Sequence, residues 1–222
     1  TLVGESADSQ RLSDIMLSLE RHGAHNINLV SPAPFVRVLC DAIPLARSKG
    51  LSVPIVYNTN AYEKVETLRL LEGMIEIYLP DLKYMTAAIA QKYSRAADYA
   101  DYAVPCIDEM ARQCGMLETD RQGIAVRGLL IRHLVLPGSV DETRRVIDHV
   151  SQNFPHNVAF SLMGQYVPNG EDLPDPLKRK LLKREYERAI DYAIMHDLTN
   201  VFIQDLSSAD KGYTPEFDGS VI

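Results

Sequence analysis

Short apolar runs alternate along this chain with longer stretches whose apolar side chains recur at helical spacing. The short runs have the length and continuity of buried β-strands, and the longer stretches have the period of amphipathic helices. The predicted strands are 27–30, 53–58, 75–80, 127–136, 157–163 and 200–204. The predicted helices are 9–22, 35–49, 62–72, 85–114 with a break near Ala97-Asp98, 141–153 and 178–196, and the polar tail is predicted to be irregular. Regular β-α alternation with right-handed crossovers predicts one parallel sheet that curls toward a barrel.

Polar side chains gather where several of these apolar runs end. Asp81 and Lys83 follow the third run, and alternate residues of an extended chain face the same side, so both can point into one site. Arg132 and His133 are adjacent in the fourth run, so one of them alone can face the barrel interior. A parallel sheet whose strands end in polar groups at one rim is typical of an enzyme.

Composition narrows the class of protein. With 222 residues, a mass of 24.9 kDa and no long linker, the chain is predicted to form a single domain, 1–222. A net charge of −7 and a pI near 5.4 disfavour nucleic acid as a partner, because a nucleic-acid surface needs clustered cations.

No apolar run approaches the ~18 residues that span a bilayer. The three cysteines are widely spaced, which is typical of free thiols in a reducing compartment. We therefore expect a cytoplasmic protein without membrane contact; its oligomeric state does not follow from the sequence.

Four motifs occur in a fixed order along the chain. They are His25-Asn-Ile-Asn-Leu-Val-Ser-Pro32, Val56-Tyr-Asn-Thr-Asn60, Asp81-Leu-Lys83 and Ile131-Arg-His-Leu-Val-Leu-Pro-Gly138. In this order and spacing the chain resembles the radical S-adenosylmethionine (SAM) proteins similar to pyruvate formate-lyase-activating enzyme, from about Leu12 to Asp205. The single motifs are weak signals, whereas the ordered set is specific.

The resemblance implies a fold and a chemistry. The fold is a partial parallel (β/α)6 barrel with a [4Fe-4S] cluster on a Cys-x3-Cys-x2-Cys loop after the first strand. The chemistry is reductive cleavage of SAM to a 5′-deoxyadenosyl radical, which abstracts hydrogen from a protein substrate of the glycyl-radical-enzyme type. An electron donor is implied as a second partner.

Two observations bear on how much of that family pattern this sequence contains. The three-cysteine loop does not occur, and the chain opens on a helix with no strand before it. We therefore expect that the first strand and the cluster loop are missing from this sequence. We also expect that the chain as it stands does not cleave SAM.

The resemblance assigns the amino-acid end of SAM to four positions. Ser31, with backbone carbonyls, occupies the slot where most radical SAM proteins carry Gly-Gly-Glu for the SAM amino group. Asp81 and Lys83, after the third run of this chain, match the pair at the end of the family's fourth strand. In that pair the lysine meets the SAM carboxylate through a charge-assisted contact. Arg132, in the fourth run of this chain, matches the arginine on the family's fifth strand and supplies a second cation for that carboxylate.

The resemblance assigns the adenosine end to polar groups on two other strands. Asn58, Thr59 and Asn60 match the polar set that faces the ribose. Gln165 and Tyr166 stand where relatives place polar groups near the adenosine.

Other interpretations of the same residues remain open at this stage. Asp81 and Lys83 could form a surface ion pair, and Asn58 and Asn60 could serve as turn formers. His133 is interpreted as a packing residue. A different enzyme class would use Lys83 as the Schiff-base nucleophile of a barrel lyase or aldolase, although a neighbouring carboxylate, Asp81, is the wrong sign of charge to activate that lysine. A third class is a non-catalytic domain that binds a partner.

Overall fold

Strands and helices alternate along the whole described part of the protein. The structure is a computed structural model that describes residues 6–170 and 172–204. Its helices are α1 Ser9–Arg21, α2 Val36–Ser48, α3 Val65–Arg69, α4 Ala87–Ser94, α5 Tyr99–Cys114, α6 Val140–Asn153 and α7 Lys183–Met195. Its strands are β1 Ile27–Val30, β2 Ile55–Thr59, β3 Ile77–Pro80, β4 Glu118–Thr119, β5 Ala125–Leu134, β6 Ala159–Met163 and β7 Val201–Ile203. The predicted irregular tail lies outside the described residues.

The sheet confirms the predicted fold class. Its strand order is β1-β2-β3-β5-β6-β7, and every neighbouring pair in that order is parallel. All six predicted strands are present and follow one another in space as they do in sequence. Sequential order with right-handed crossovers puts the connecting helices on one side of the sheet. The other side, which we call the inner face, is left for a site.

Burial along β5 shows how the pleat separates the two faces. Leu129, Ile131 and His133 are buried, whereas the residues between them are half-buried. The odd-numbered side chains contact the helix layer, as the bond of His133 to Thr143 of α6 shows. The even-numbered side chains, Arg132 among them, therefore lie on the inner face.

The short antiparallel arm formed by β4 and the beginning of β5 was not predicted. Gly128 directly follows Arg127, which pairs with Glu118 in this arm, and has a φ of 115°, a conformation that favours glycine. A Cβ at Gly128 would collide with the Met116 carbonyl oxygen and with Leu117 Cα. Glycine at this position therefore lets two backbone segments approach closely.

Two helices differ from their predicted lengths. The predicted helix 62–72 shortens to α3, because Ala61 takes a φ of 60° and the Glu63 side chain is held by the Tyr57 and Thr59 hydroxyls. The predicted helix 178–196 begins later, at Lys183, because Lys178 ends a 3-10 turn, Asp175–Lys178, and the backbone at Arg179 and Leu182 is extended. The predicted break between two helices is confirmed by the gap between α4 and α5. No helix in the described ranges is long and apolar enough to cross a membrane.

Candidate functional site

His133 and Arg132 take opposite sides of β5, in the orientation that the sequence predicted. His133 is fully buried; its Nδ1 lies 2.7 Å from the Leu82 carbonyl oxygen and its Nε2 lies 2.9 Å from Thr143 Oγ1. A carbonyl accepts hydrogen bonds only, so Nδ1 carries the proton and Nε2 accepts from the threonine. Burial lowers the pKa of His133 to about 4, which keeps the ring neutral. His133 is a packing residue that fixes the chain after β3.

Arg132 meets two other predicted residues on the inner face. Its Nη2 donates to Asn58 Oδ1 at 2.6 Å and lies 2.8 Å from Asp81 Oδ1. The Asp81 N–H donates to the Thr59 carbonyl at 2.8 Å, and a parallel bridge joins Asp81 to Arg132, so the ends of β2, β3 and β5 supply one residue each. We call Asn58, Asp81 and Arg132 the inner-face cluster.

Two atoms of the inner-face cluster are buried without a hydrogen-bond partner among the described residues. They are Asp81 Oδ1 and Arg132 Nε. The 2.8 Å contact between the carboxylate and Nη2 is a close ion pair whose angles do not make it a hydrogen bond. A buried polar atom left unpaired is costly, so a ligand that supplies a donor to Asp81 and an acceptor to Arg132 would be stabilised here. An α-amino acid zwitterion offers both.

The Tyr99 hydroxyl joins the chain ends beside this cluster. Tyr99 Oη lies 2.5 Å from the Asp81 carbonyl oxygen and 2.9 Å from that of Asn60, and it accepts the Lys83 N–H at 3.1 Å. Burial raises the pKa of Tyr99 far above its ordinary value, so the phenol stays protonated. The backbone on both sides of Asp81 is therefore fixed by a buried side chain from α5.

A cavity of about 340 Å³ lies next to the inner-face cluster. Three predicted site residues line it, Asp81, Lys83 and Tyr166, so Asp81 and Lys83 do share one side as their spacing predicted. We call it the rim cavity; its other lining residues are Tyr84, Tyr93, Leu134, Leu136, Met163, Val167, Asn169, Leu173 and Leu177. The sequence pattern did not point to these nine residues. Leu134 and Leu136 could have been found, because they alternate with Arg132 along the end of β5 and the residues directly after it.

Four predicted residues lie neither in the inner-face cluster nor in the wall of the rim cavity. Ser31 is exposed with a φ of 52°, and its N–H donates to the Asn58 carbonyl. Thr59 is buried on the helix side, where its hydroxyl donates to Glu63 at 2.7 Å. Asn60 Oδ1 accepts the Tyr62 N–H at 2.9 Å, as a turn former does, and Gln165 is exposed.

The described residues offer no ligand set for a metal ion or cluster. No group of three or more His, Cys, Asp or Glu side chains within the described ranges could hold a metal. Cys106 and Cys114 are buried in α5, and Cys40 lies in α2 with its thiol 3.5 Å from the Leu70 carbonyl. These cysteines therefore do not fit a [4Fe-4S] cluster.

Comparison with known proteins places this geometry in context. No protein-family model matches the chain. An uncharacterized protein of Methanocaldococcus jannaschii is 27% identical over 186 residues, which cover 82% of this chain and 50% of the relative. The chain thus spans about half the length of the curated relative that it matches.

Solved structures resemble the fold at low identity. A domain of pyruvate-formate lyase-activating enzyme from Bacteroides vulgatus superposes with a TM-score of 0.54 at 13% identity, covering 81% of this chain and 98% of that one. SuiB of Streptococcus suis, bound to SAM, superposes with a TM-score of 0.57 at 13% identity, covering 94% of this chain and 46% of that one. The hydrogenase maturase HydG of Carboxydothermus hydrogenoformans superposes with a TM-score of 0.54 at 14% identity, covering 90% of this chain and 46% of that one. The chain therefore has the fold of a radical SAM partial barrel.

Proposed function

We propose that this chain is the SAM-binding core of a radical SAM enzyme. Two independent observations support the proposal: the partial-barrel fold, and an ion pair on its inner face in which one acceptor atom and one donor atom make no hydrogen bond. The second observation carries the proposal, because it concerns residues of this chain. The activating-enzyme type, with a glycyl-radical protein as substrate, is a finer alternative within the same class.

The roles of the three cluster residues follow from their charges. The Asp81 carboxylate accepts from the ammonium of the methionine part of SAM, and the Arg132 guanidinium donates to its carboxylate. Asn58 holds Arg132 Nη2 at 2.6 Å and so fixes the guanidinium plane. The zwitterion enters with little change in net charge, because the site already carries one charge of each sign.

SAM would supply a 5′-deoxyadenosyl radical only after one-electron reduction by an iron–sulfur cluster, whereas the residues of this chain would bind and orient SAM. Tyr99 and His133 keep the end of β3 in place through backbone carbonyls at 2.5 and 2.7 Å. The described residues do not fit the iron–sulfur cluster.

The proposal is tested by calorimetric titration with SAM and with 5′-methylthioadenosine, which lacks the amino-acid part. Each charge-assisted contact to the zwitterion is worth about tenfold or more in affinity, so SAM should bind at least tenfold more tightly. Equal affinities for the two compounds, or no binding of SAM, would contradict the proposed function.

A further inference from the structure

The rim cavity has the dimensions of a site for one small molecule. Its volume of about 340 Å³ lies at the lower end of the roughly 300–1,000 Å³ found for ligand pockets. This space suits a single ring or a branched chain with a short polar end.

The wall of the rim cavity is mostly apolar. Leu134 and Met163 come from the inner face of β5 and β6, and Val167, Leu173 and Leu177 come from the segment after β6. Burial of an apolar group against such a wall is favourable by about 25 cal/mol per Å². The body of the occupant is therefore hydrocarbon or aromatic.

The phenols in this wall are already bonded to the protein. Tyr166 donates to the Leu177 carbonyl at 2.8 Å, and the hydroxyls of Tyr84 and Tyr93 bond to serines at 3.0 and 3.3 Å. Their hydroxyls are therefore engaged before a ligand arrives, and the rings add apolar surface. Selectivity for a charged ligand has to come from another wall residue.

Lys83 is the wall residue with an unused charge. It is half-buried and has no ion-pair partner in the described part of the chain. Asp81, the acidic residue of the same wall, forms its ion pair with Arg132 and not with Lys83; its Oδ1 lies 2.8 Å from Arg132 Nη2. An ammonium beside apolar walls is stabilised by an anion that enters with a matching hydrogen bond.

We infer that the rim cavity binds a small organic acid with an aryl or branched alkyl body, whose carboxylate pairs with Lys83. The inference deepens the proposed function, on which it rests, by naming the class of molecule bound beside SAM. It also separates Lys83 from the SAM carboxylate, for which the family resemblance implies both Lys83 and Arg132. Arg132 serves SAM, and Lys83 serves the second ligand.

The test is calorimetric titration of the chain with a panel of acids and their uncharged amides. The panel contains 3-phenylpropionate, 4-methylpentanoate and indole-3-acetate, each with its amide. At least one acid should bind about tenfold or more tightly than its amide. Lys83→Met should remove this difference, Lys83→Arg should retain it, and Lys180→Met should leave it unchanged, because Lys180 is an exposed lysine away from the cavity.

Three results would overturn the inference. They are the absence of binding by every acid, equal affinities of acids and amides, and an unchanged preference in Lys83→Met. A peptide that binds through its apolar carboxyl-terminal residue, where the free acids fail, would overturn the small-molecule class. Borohydride trapping of an oxo acid on Lys83 would assign the lysine to Schiff-base chemistry instead.

Titration with SAM keeps the two proposals apart. Lys83→Met should bind SAM as the unchanged chain does, and a saturating acid should leave SAM affinity within about twofold. Competition between SAM and the acid would show that the rim cavity belongs to the SAM site. Acid binding without SAM binding would contradict the proposed function while leaving the acid site standing.

Discussion

Asp81 and Arg132 lie 2.8 Å apart because the register of the sheet pairs the ends of β3 and β5. The Leu82 N–H donates to the Arg132 carbonyl at 2.8 Å, which fixes this register at the rim. The pleat then turns both charged side chains to the inner face. Backbone pairing, supported by buried residues such as Ile131, therefore sets the charge pattern of the candidate site.

Asp81→Asn should weaken SAM binding by about ten- to a hundredfold, because an amide cannot pair with the SAM ammonium as a carboxylate does. The matched measurement uses the desamino analogue of SAM, which lacks that ammonium. The unchanged chain should prefer SAM to this analogue, and Asp81→Asn should bind the two almost equally. A variant that keeps the full preference would show that Asp81 does not contact the amino group.

His133 should make the folded state less stable in mild acid. Its pKa is lowered to about 4 in the folded state, whereas an unfolded histidine titrates near its ordinary value of about 6.5. Between these values the unfolded chain binds more protons, so the free energy of unfolding falls as the pH falls through this window. The contribution lost is on the order of 3 kcal/mol.

The comparison that isolates this contribution is urea unfolding of His133→Gln at about pH 7 and about pH 4.5. The variant should lose less stability between the two conditions than the unchanged chain, since glutamine does not titrate. His156→Gln, at an exposed position, should behave as the unchanged chain. Identical pH dependence in all three proteins would show that His133 is not held neutral.

Gly128→Ala should destabilise the protein by more than about 2 kcal/mol, because it adds backbone strain and a collision with the 116–117 backbone. Gly123→Ala is the matched control: its φ is 82°, but nothing lies within 4 Å of its added Cβ. It should cost about 1–2 kcal/mol. Equal losses for the two variants in urea unfolding would contradict the close approach of the 116–117 backbone to β5.

Much of the fold could be predicted because its strands are continuous apolar runs. The same pattern predicted that Asp81 and Lys83 share one side and that Arg132 and His133 do not, since both follow from the pleat. The antiparallel arm that contains β4 was not predicted, because a two-residue strand, Glu118–Thr119, is too short to show an alternation of apolar and polar residues.

The site was harder to predict than the sheet, because side chains choose partners that spacing does not reveal. Thr59 matched a family motif, yet its hydroxyl bonds to Glu63 in the helix layer at 2.7 Å. Asp81 pairs with Arg132 rather than with Lys83, which depends on strand register. Asn169 and Leu173 lie in a segment without periodicity, so their place in the rim cavity required the structure.

The central claim is that the inner-face ion pair binds the methionine part of SAM, and Arg132→Met tests it most directly. The measurement is calorimetric titration of this variant with SAM and with 5′-methylthioadenosine, beside Arg121→Met, which alters an exposed arginine. We expect SAM affinity to fall about ten- to a hundredfold in Arg132→Met, with unchanged 5′-methylthioadenosine affinity and no change in Arg121→Met. If Arg132→Met binds SAM as tightly as the unchanged chain, the inner-face cluster does not hold the SAM zwitterion.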